Sequence, residues 1–150
     1  PRQKLHPFPM RRQTKMTLNE FFGKYLGQSV QYNVSNTTKY QCVDWAKCYC
    51  YEYLKLPVNK NNWAWSNARD WFTNKEALKY FTAIKNTPTF VPEAGDLCIF
   101  GGNKYGHICI ATGIGNTKRF VSIDQNIRGK YVSAEYHNYT DFIGVLRLKK

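Results

Sequence analysis

A chain of 150 residues that is 43% hydrophobic and 16% aromatic has enough apolar material for one packed core, which excludes an intrinsically disordered chain. Its 22 Lys+Arg against 10 Asp+Glu leave a formal charge of +12. That balance favours an anionic partner such as nucleic acid, a membrane surface or a bacterial wall carrying phosphate polymers.

Residues 1–16 hold Arg2, Lys4, Arg11, Arg12 and Lys15, three prolines and no acid. They lack the apolar middle of a signal peptide and read as a flexible basic arm ahead of a folded domain over 17–150, on which +7 remains. No apolar run reaches the roughly 18 residues of a membrane span. Thr17-Leu-Asn-Glu20 fits a capping box, in which hydroxyl and carboxylate each satisfy a backbone donor, and predicts a helix over 18–26 ended by Gly27. Residues 31–40 show no period and read as loop. In 41–54, Val43, Ala46, Cys50 and Leu54 recur at three- and four-residue spacing, which predicts a helix with Cys42 in or beside its first turn. Trp63, Trp65 and Trp71 follow, with Asn74 as cap of a short helix to Phe81.

At the turn Pro92-Glu-Ala-Gly95 the pattern changes. Residues 96–100, 107–112, 119–124 and 142–148 read as strands separated by Gly/Asn turns. Helices first and an antiparallel sheet second predict an α+β fold. The five cysteines (42, 48, 50, 98, 109) match neither a disulfide framework nor a zinc signature, so reduced thiols are expected.

A thiol is a useful nucleophile only as thiolate, and a helix N-terminus or a nearby imidazolium favours that form. Cys42 meets the first condition and needs a histidine for the second. Taking Gly115-Asn116 as a hairpin turn places His107 opposite Asp124; taking Asn116-Thr117 places it opposite Asn126. The two candidates share a strand face in either register, so one of them is expected beside the imidazole. A nucleophile, a base and a group that orients the base form the triad logic of acyl transfer. His6 falls in the arm and His137 in a polar stretch, 135–139, read as loop. Cys48, Cys50, Cys98 and Cys109 suit core packing, the usual fate of a free cysteine.

The segments Gln41-Cys42-Val-Asp44, Pro92-x-x-Gly95-Asp96-x-x-x-Phe100, Gly106-His107-Ile-x-Ile110 and Ser122-Ile-Asp124-Gln125-Asn126 together resemble a CHAP domain, the cysteine, histidine-dependent amidohydrolase/peptidase family, most like those of bacteriophage endolysins. The resemblance runs from about Thr17 to Leu148. It implies a papain-like fold, N-terminal helices on a C-terminal sheet, that cuts amide bonds of peptidoglycan at the bacterial wall. It also implies Cys42 as nucleophile, His107 as base, Asp124 as its orienter and Asn126 as an auxiliary group, with Asp124 standing where the family more often has Glu. Gln41 and the Cys42 backbone N–H are the oxyanion candidates; Tyr105 and Trp65 are candidates for the substrate groove.

Several phage members of the family bind calcium through the loop before the cysteine and an Asp two residues after it. Here Asp44 is present, but the loop offers Asn33, Ser35, Thr37 and Lys39 instead of carboxylates. Calcium takes six to eight oxygen ligands, several usually charged. No tight calcium site and no other cofactor is expected. Endopeptidase action is favoured, with N-acetylmuramoyl-L-alanine amidase as the alternative. A basic module that only binds the wall is the rival from another class, and no nucleic-acid motif appears. A phage lysin released from the host cytoplasm would fit the missing signal peptide. For an endolysin, either the chain is an excised catalytic domain or charge and partner chains supply targeting.

Overall fold

The computed structural model describes residues 15–32, 39–56 and 67–150; residues 1–14, 33–38 and 57–66 lie outside it, and with them most of the basic arm, the calcium-loop positions Asn33, Ser35 and Thr37, and Trp63 and Trp65. Helix α1 spans Leu18–Tyr25. Its start is the expected capping box: Glu20 N donates to Thr17 Oγ1 at 3.1 Å, and Thr17 N donates to Glu20 Oε1 at 2.8 Å. Helix α2 spans Cys42–Cys48 and continues as a π-helical turn over Tyr49–Tyr53. The widened turn still buries Tyr49 and Cys50 against the core.

Six strands form one antiparallel sheet: β1 (Phe81–Lys85), β2 (Leu97–Phe100), β3 (His107–Gly115), β4 (Phe120–Gln125), β5 (Val132–His137) and β6 (Phe142–Leu148), in spatial order β1-β6-β2-β3-β4-β5. The fold class is therefore α+β and papain-like, with the helices against the sheet. Two details depart from the sequence reading. The expected helix up to Phe81 is a single 3₁₀ turn, Ala77–Lys79, after which Phe81 opens an edge strand paired to β6. Asn74 does cap that turn, its Oδ1 accepting from Glu76 and Ala77 N–H. Residues 135–137 of the stretch read as a loop belong instead to β5.

The two faces of the sheet bury different things. Leu97, Ile99, Ile108, Ile110, Ile123 and Leu146 pack toward Trp45, Trp71 and the helices. The opposite face carries Cys98, Phe100, Cys109, Ala111, Phe120 and Phe142 in a smaller cluster. Asp96, in the quoted Gly95-Asp96 motif, is structural. Its buried carboxylate accepts from Arg147 Nε and Nη2 at 2.9 and 2.8 Å, tying the turn before β2 to β6. Among the described residues no helix is long and apolar enough to cross a membrane.

Candidate active site

Cys42 is the first residue of α2, and its position is fixed by contacts on either side of it. Asp44 reaches back to accept the Gln41 N–H at 2.9 Å and also accepts Tyr32 N–H at 3.2 Å. Three residues on, Trp45 donates its indole N–H to the carbonyl of Ile123 on β4 at 2.9 Å. The fully buried Gln125 donates to the carbonyls of Gln41 (2.8 Å) and Val30 (3.0 Å) and accepts Val30 N–H (2.7 Å). Every polar atom of that side chain is thus engaged, as burial of an amide requires. Gln125, which has no role on sequence grounds, locks the residue before Cys42 to the strand that carries Asp124.

His107 opens β3, and the loop ahead of it is held as firmly. Arg69 donates its backbone N–H to the Tyr105 carbonyl and its Nη1 to the Asn103 carbonyl, while Asn103 Oδ1 accepts from the N–H groups of Tyr105 and Gly106. Gly106 has φ +70°, and a Cβ there would stand 2.5 Å from the Phe100 carbonyl oxygen. Only glycine fits.

The hairpin register sets how Asp124 and Asn126 stand to the imidazole. The turn is neither of the two expected. Asn116 N–H donates to the Arg119 carbonyl, and Asn116 Oδ1 accepts from Lys118 and Arg119 N–H, so Thr117-Lys118 form the tip. A bulge between Ala111 and Gly115, made possible by Gly113 at φ +91°, then restores Ala111 opposite Ser122 and Ile110 opposite Ile123. Extending that pairing puts Asn126 across from His107 and Asp124 one step inward on the same face. The hydrogen bond goes diagonally: His107 Nε2 lies 2.7 Å from Asp124 Oδ2. Asn126, at φ +72°, turns away and donates to Gln41 Oε1 at 3.4 Å.

Asp124 is fully buried, and Cys42 is among the groups that raise His107. With Nε2 engaged by Asp124, Nδ1 is the ring nitrogen left for the thiol. Burial opposes a charged imidazole, but the Asp124 carboxylate outweighs it and raises His107 far above the usual histidine range. Burial would likewise raise the Asp124 carboxyl; the imidazoles of His107 and His137 hold it down at about 2. The arrangement stabilises an imidazolium next to a thiol, which suits general acid–base chemistry.

His137 is the residue the sequence reading misplaced. It ends β5, and its Nε2 lies 2.8 Å from the same Asp124 Oδ2 that binds His107. Ser122 Oγ donates to the other oxygen, Oδ1, at 2.5 Å. Strand alternation could have found it, since Phe120 pairs with His137 and Ser122 with Glu135, on the face of Asp124. Of the remaining candidates, Gln41 donates one amide hydrogen to the Lys39 carbonyl at 3.0 Å and keeps a second. Tyr105 is 58% exposed on the loop leading to His107, and Trp65 lies outside the described residues.

Comparison with known proteins bears on the family and the fold. The sequence profile of the CHAP domain matches residues 31–126. The wild-type endolysin LysIME-EF1 superposes with a TM-score of 0.71 at 26% identity, over 91% of this chain and 65% of that one. Ly7917, solved with the hydrolysing product of MDP, gives 0.58 at 18% identity over 88% and 63%. An N-acetylmuramoyl-L-alanine amidase from Staphylococcus aureus gives 0.50 at 16% identity over 79% and 34%. The chain thus spans less than two thirds of each of these structures, and no curated protein matches it significantly. On the profile match, which takes in Cys42, His107, Asp124 and Asn126, the chain belongs to the CHAP domain family.

Proposed function

We propose that this chain is a cysteine hydrolase of bacterial peptidoglycan, acting at the cell wall in the manner of a phage endolysin. The observation that carries the reading is the 2.7 Å contact of His107 Nε2 with the buried Asp124 carboxylate, with Cys42 among the groups that raise His107. Cys42 gives its proton to His107 Nδ1 and its sulfur attacks a peptide carbonyl of the wall. The developing oxyanion is met by the backbone N–H of Cys42 and the free amide hydrogen of Gln41. The His107 imidazolium protonates the leaving amine, which leaves a thioester on Cys42. Water, deprotonated by His107, attacks the thioester and frees the acid and the thiol. Asp124 holds the ring and its charge throughout.

Endopeptidase cleavage of the stem peptide or cross-bridge is the favoured reaction. An amidase cutting at the N-acetylmuramoyl-L-alanine bond needs the same catalytic parts, and mass spectrometry of the released muropeptides distinguishes them by their new termini. The charge of +12 fits docking on anionic wall polymers. Cys42→Ala is expected to lower release of soluble muropeptides from purified walls by about 10³-fold or more. Full activity in that variant would overturn the reading, and wall binding with no release by the unaltered chain would favour the non-catalytic module.

A further inference from the structure

Two side chains at the site have no step in this reaction. Cys109 is a fully buried thiol on β3, two residues from His107 and on the same face. His137 approaches from β5. One ligand atom from each of His107, Cys109, Asp124 and His137 can be chosen so that all four lie within 4.8 Å of one another. We propose that these four residues form a binding site for a divalent transition-metal ion of the zinc class, and that the ion switches the hydrolase off. The second half of this proposal rests on the reading of His107 as the base of Cys42.

The donor chemistry selects the ion. Two imidazole nitrogens, one thiolate and one carboxylate oxygen make a borderline-soft, four-coordinate set of the kind zinc prefers. Calcium and magnesium, which take six or more oxygen ligands, are poorly served by it. Bonds of about 2.0–2.3 Å in a tetrahedron place ligand atoms about 3.3–3.8 Å apart, so the cluster needs to contract by about 1 Å at its widest. The two Nε2 atoms already converge on one carboxylate oxygen, at 2.7 and 2.8 Å. The anionic charges of Cys109 and Asp124 balance those of the ion, which a buried site requires. Entry is from the side of the histidines, whose side chains are 20% and 17% exposed while Asp124 is closed off behind them. His137 also lines an open depression of about 370 Å³ with Lys118, Arg119, Tyr136 and Asn138. The two cations stand at its solvent side, where salt screens them.

Inhibition follows from the tautomer. On coordination Cys109 releases its proton to solvent, and each histidine gives up its Nε2 proton, to solvent from an imidazolium or to Nδ1 from a neutral ring, so that Nδ1 carries the one that remains. For His107 that is the nitrogen left for Cys42, so the ring has no lone pair with which to take the thiol proton. Asp124 is drawn onto the ion at the same time.

The test is to titrate zinc and cobalt(II) into the full chain carrying Cys42→Ala. One ion per chain is expected, with a thiolate-to-cobalt charge-transfer band retained in Cys42→Ala and lost in Cys109→Ala. His137→Gln is expected to weaken zinc binding by at least about tenfold. In the unaltered chain zinc should suppress muropeptide release and a chelator restore it. The proposal is overturned if the band vanishes with Cys42→Ala, if that variant binds no zinc, or if His137→Gln binds as tightly as its parent. Should Cys109→Ala fail to fold, the Cys42→Ala spectrum and the His137→Gln titration still decide. Because binding is read without the nucleophile, it is separate from the hydrolase reading, which fails instead if the metal-free unaltered chain is inactive.

Discussion

Two clusters in this protein share one plan and differ in the donors used. On the helical side, Glu52 accepts hydrogen bonds from the hydroxyls of Tyr25 and Tyr32 beside the buried Cys48. On the sheet side, Asp124 accepts from His107 and His137 beside the buried Cys109. Each is one carboxylate, two ring donors and a cysteine. Burial and the Glu52 carboxylate push both tyrosines upward, so their protons stay in place at any physiological pH. Cys48 is itself pushed up to about 12, chiefly by burial. That cluster is a latch between α1, the segment around Tyr32 and the π-helical turn. Histidine in the same role has an accessible proton and a second nitrogen, which Asp124 leaves free to face Cys42. The chemistry of a buried carboxylate is set by what donates to it.

The comparison can be broken most severely at Asp124. Asp124→Asn is expected to reduce muropeptide release by about 10⁴-fold, because it removes the charge that supports the imidazolium and favours the wrong tautomer. A loss below tenfold in that variant would mean that His107 does not rely on Asp124. Glu52→Gln tests the other cluster. It leaves one tyrosine hydroxyl without a good acceptor and is expected to cost about 1–3 kcal/mol of stability by chemical denaturation. Turnover per folded molecule should stay unchanged, and a selective loss of turnover would make the helical cluster more than a latch.

The pH dependence of stability separates the clusters with a smaller effect. Asp124 has a depressed pKa, so its contribution is full above about 3.9, the ordinary value, and is lost as pH falls toward about 2. His137 is raised to about 10, the attraction of Asp124 exceeding the burial that opposes it. Its contribution is full below the unfolded value of about 6.5 and is lost as pH rises through about 10. The tyrosines contribute fully below about 10 and weaken only above it. Denaturation of chelator-treated protein should therefore show a decline between pH 6.5 and 10 that Asp124→Asn flattens and Glu52→Gln leaves alone. An Asp124→Asn profile parallel to that of the unaltered chain would contradict this account.

Much of the fold was legible because it rests on local chemistry. Thr17 and Glu20 cap α1 as their spacing requires, and β2, β3, β4 and β6 fall on the apolar runs between Gly/Asn turns. What misled was polarity on the wrong side. In β5 the buried positions include Ser133 and Glu135, while Tyr136 is exposed, so the strand reads inside out. Glu135 is tolerated there because Arg128 and Ser133 bond to it, and Arg128 lies outside the strand. His137 was lost with that strand. In β1, a short edge strand, only Phe81 is fully buried, and the helix expected before it ran through its start.

By itself the sequence determined that Cys42 begins a helix, that His107 begins a strand, and that Asp124 lies on the strand paired with it. Those are consequences of period and capping, which act over a few residues. Only the tertiary structure decided that Asp124 rather than Asn126 bonds His107, that Gln125 and Trp45 lock α2 to β4, and that His137 joins the same carboxylate. The first depended on a diagonal contact across the strand pair, with Asn126 turned aside at φ +72°, and the others on contacts between residues 13 to 84 positions apart. Local preferences cannot encode either, because both arise when separate elements close on a common core.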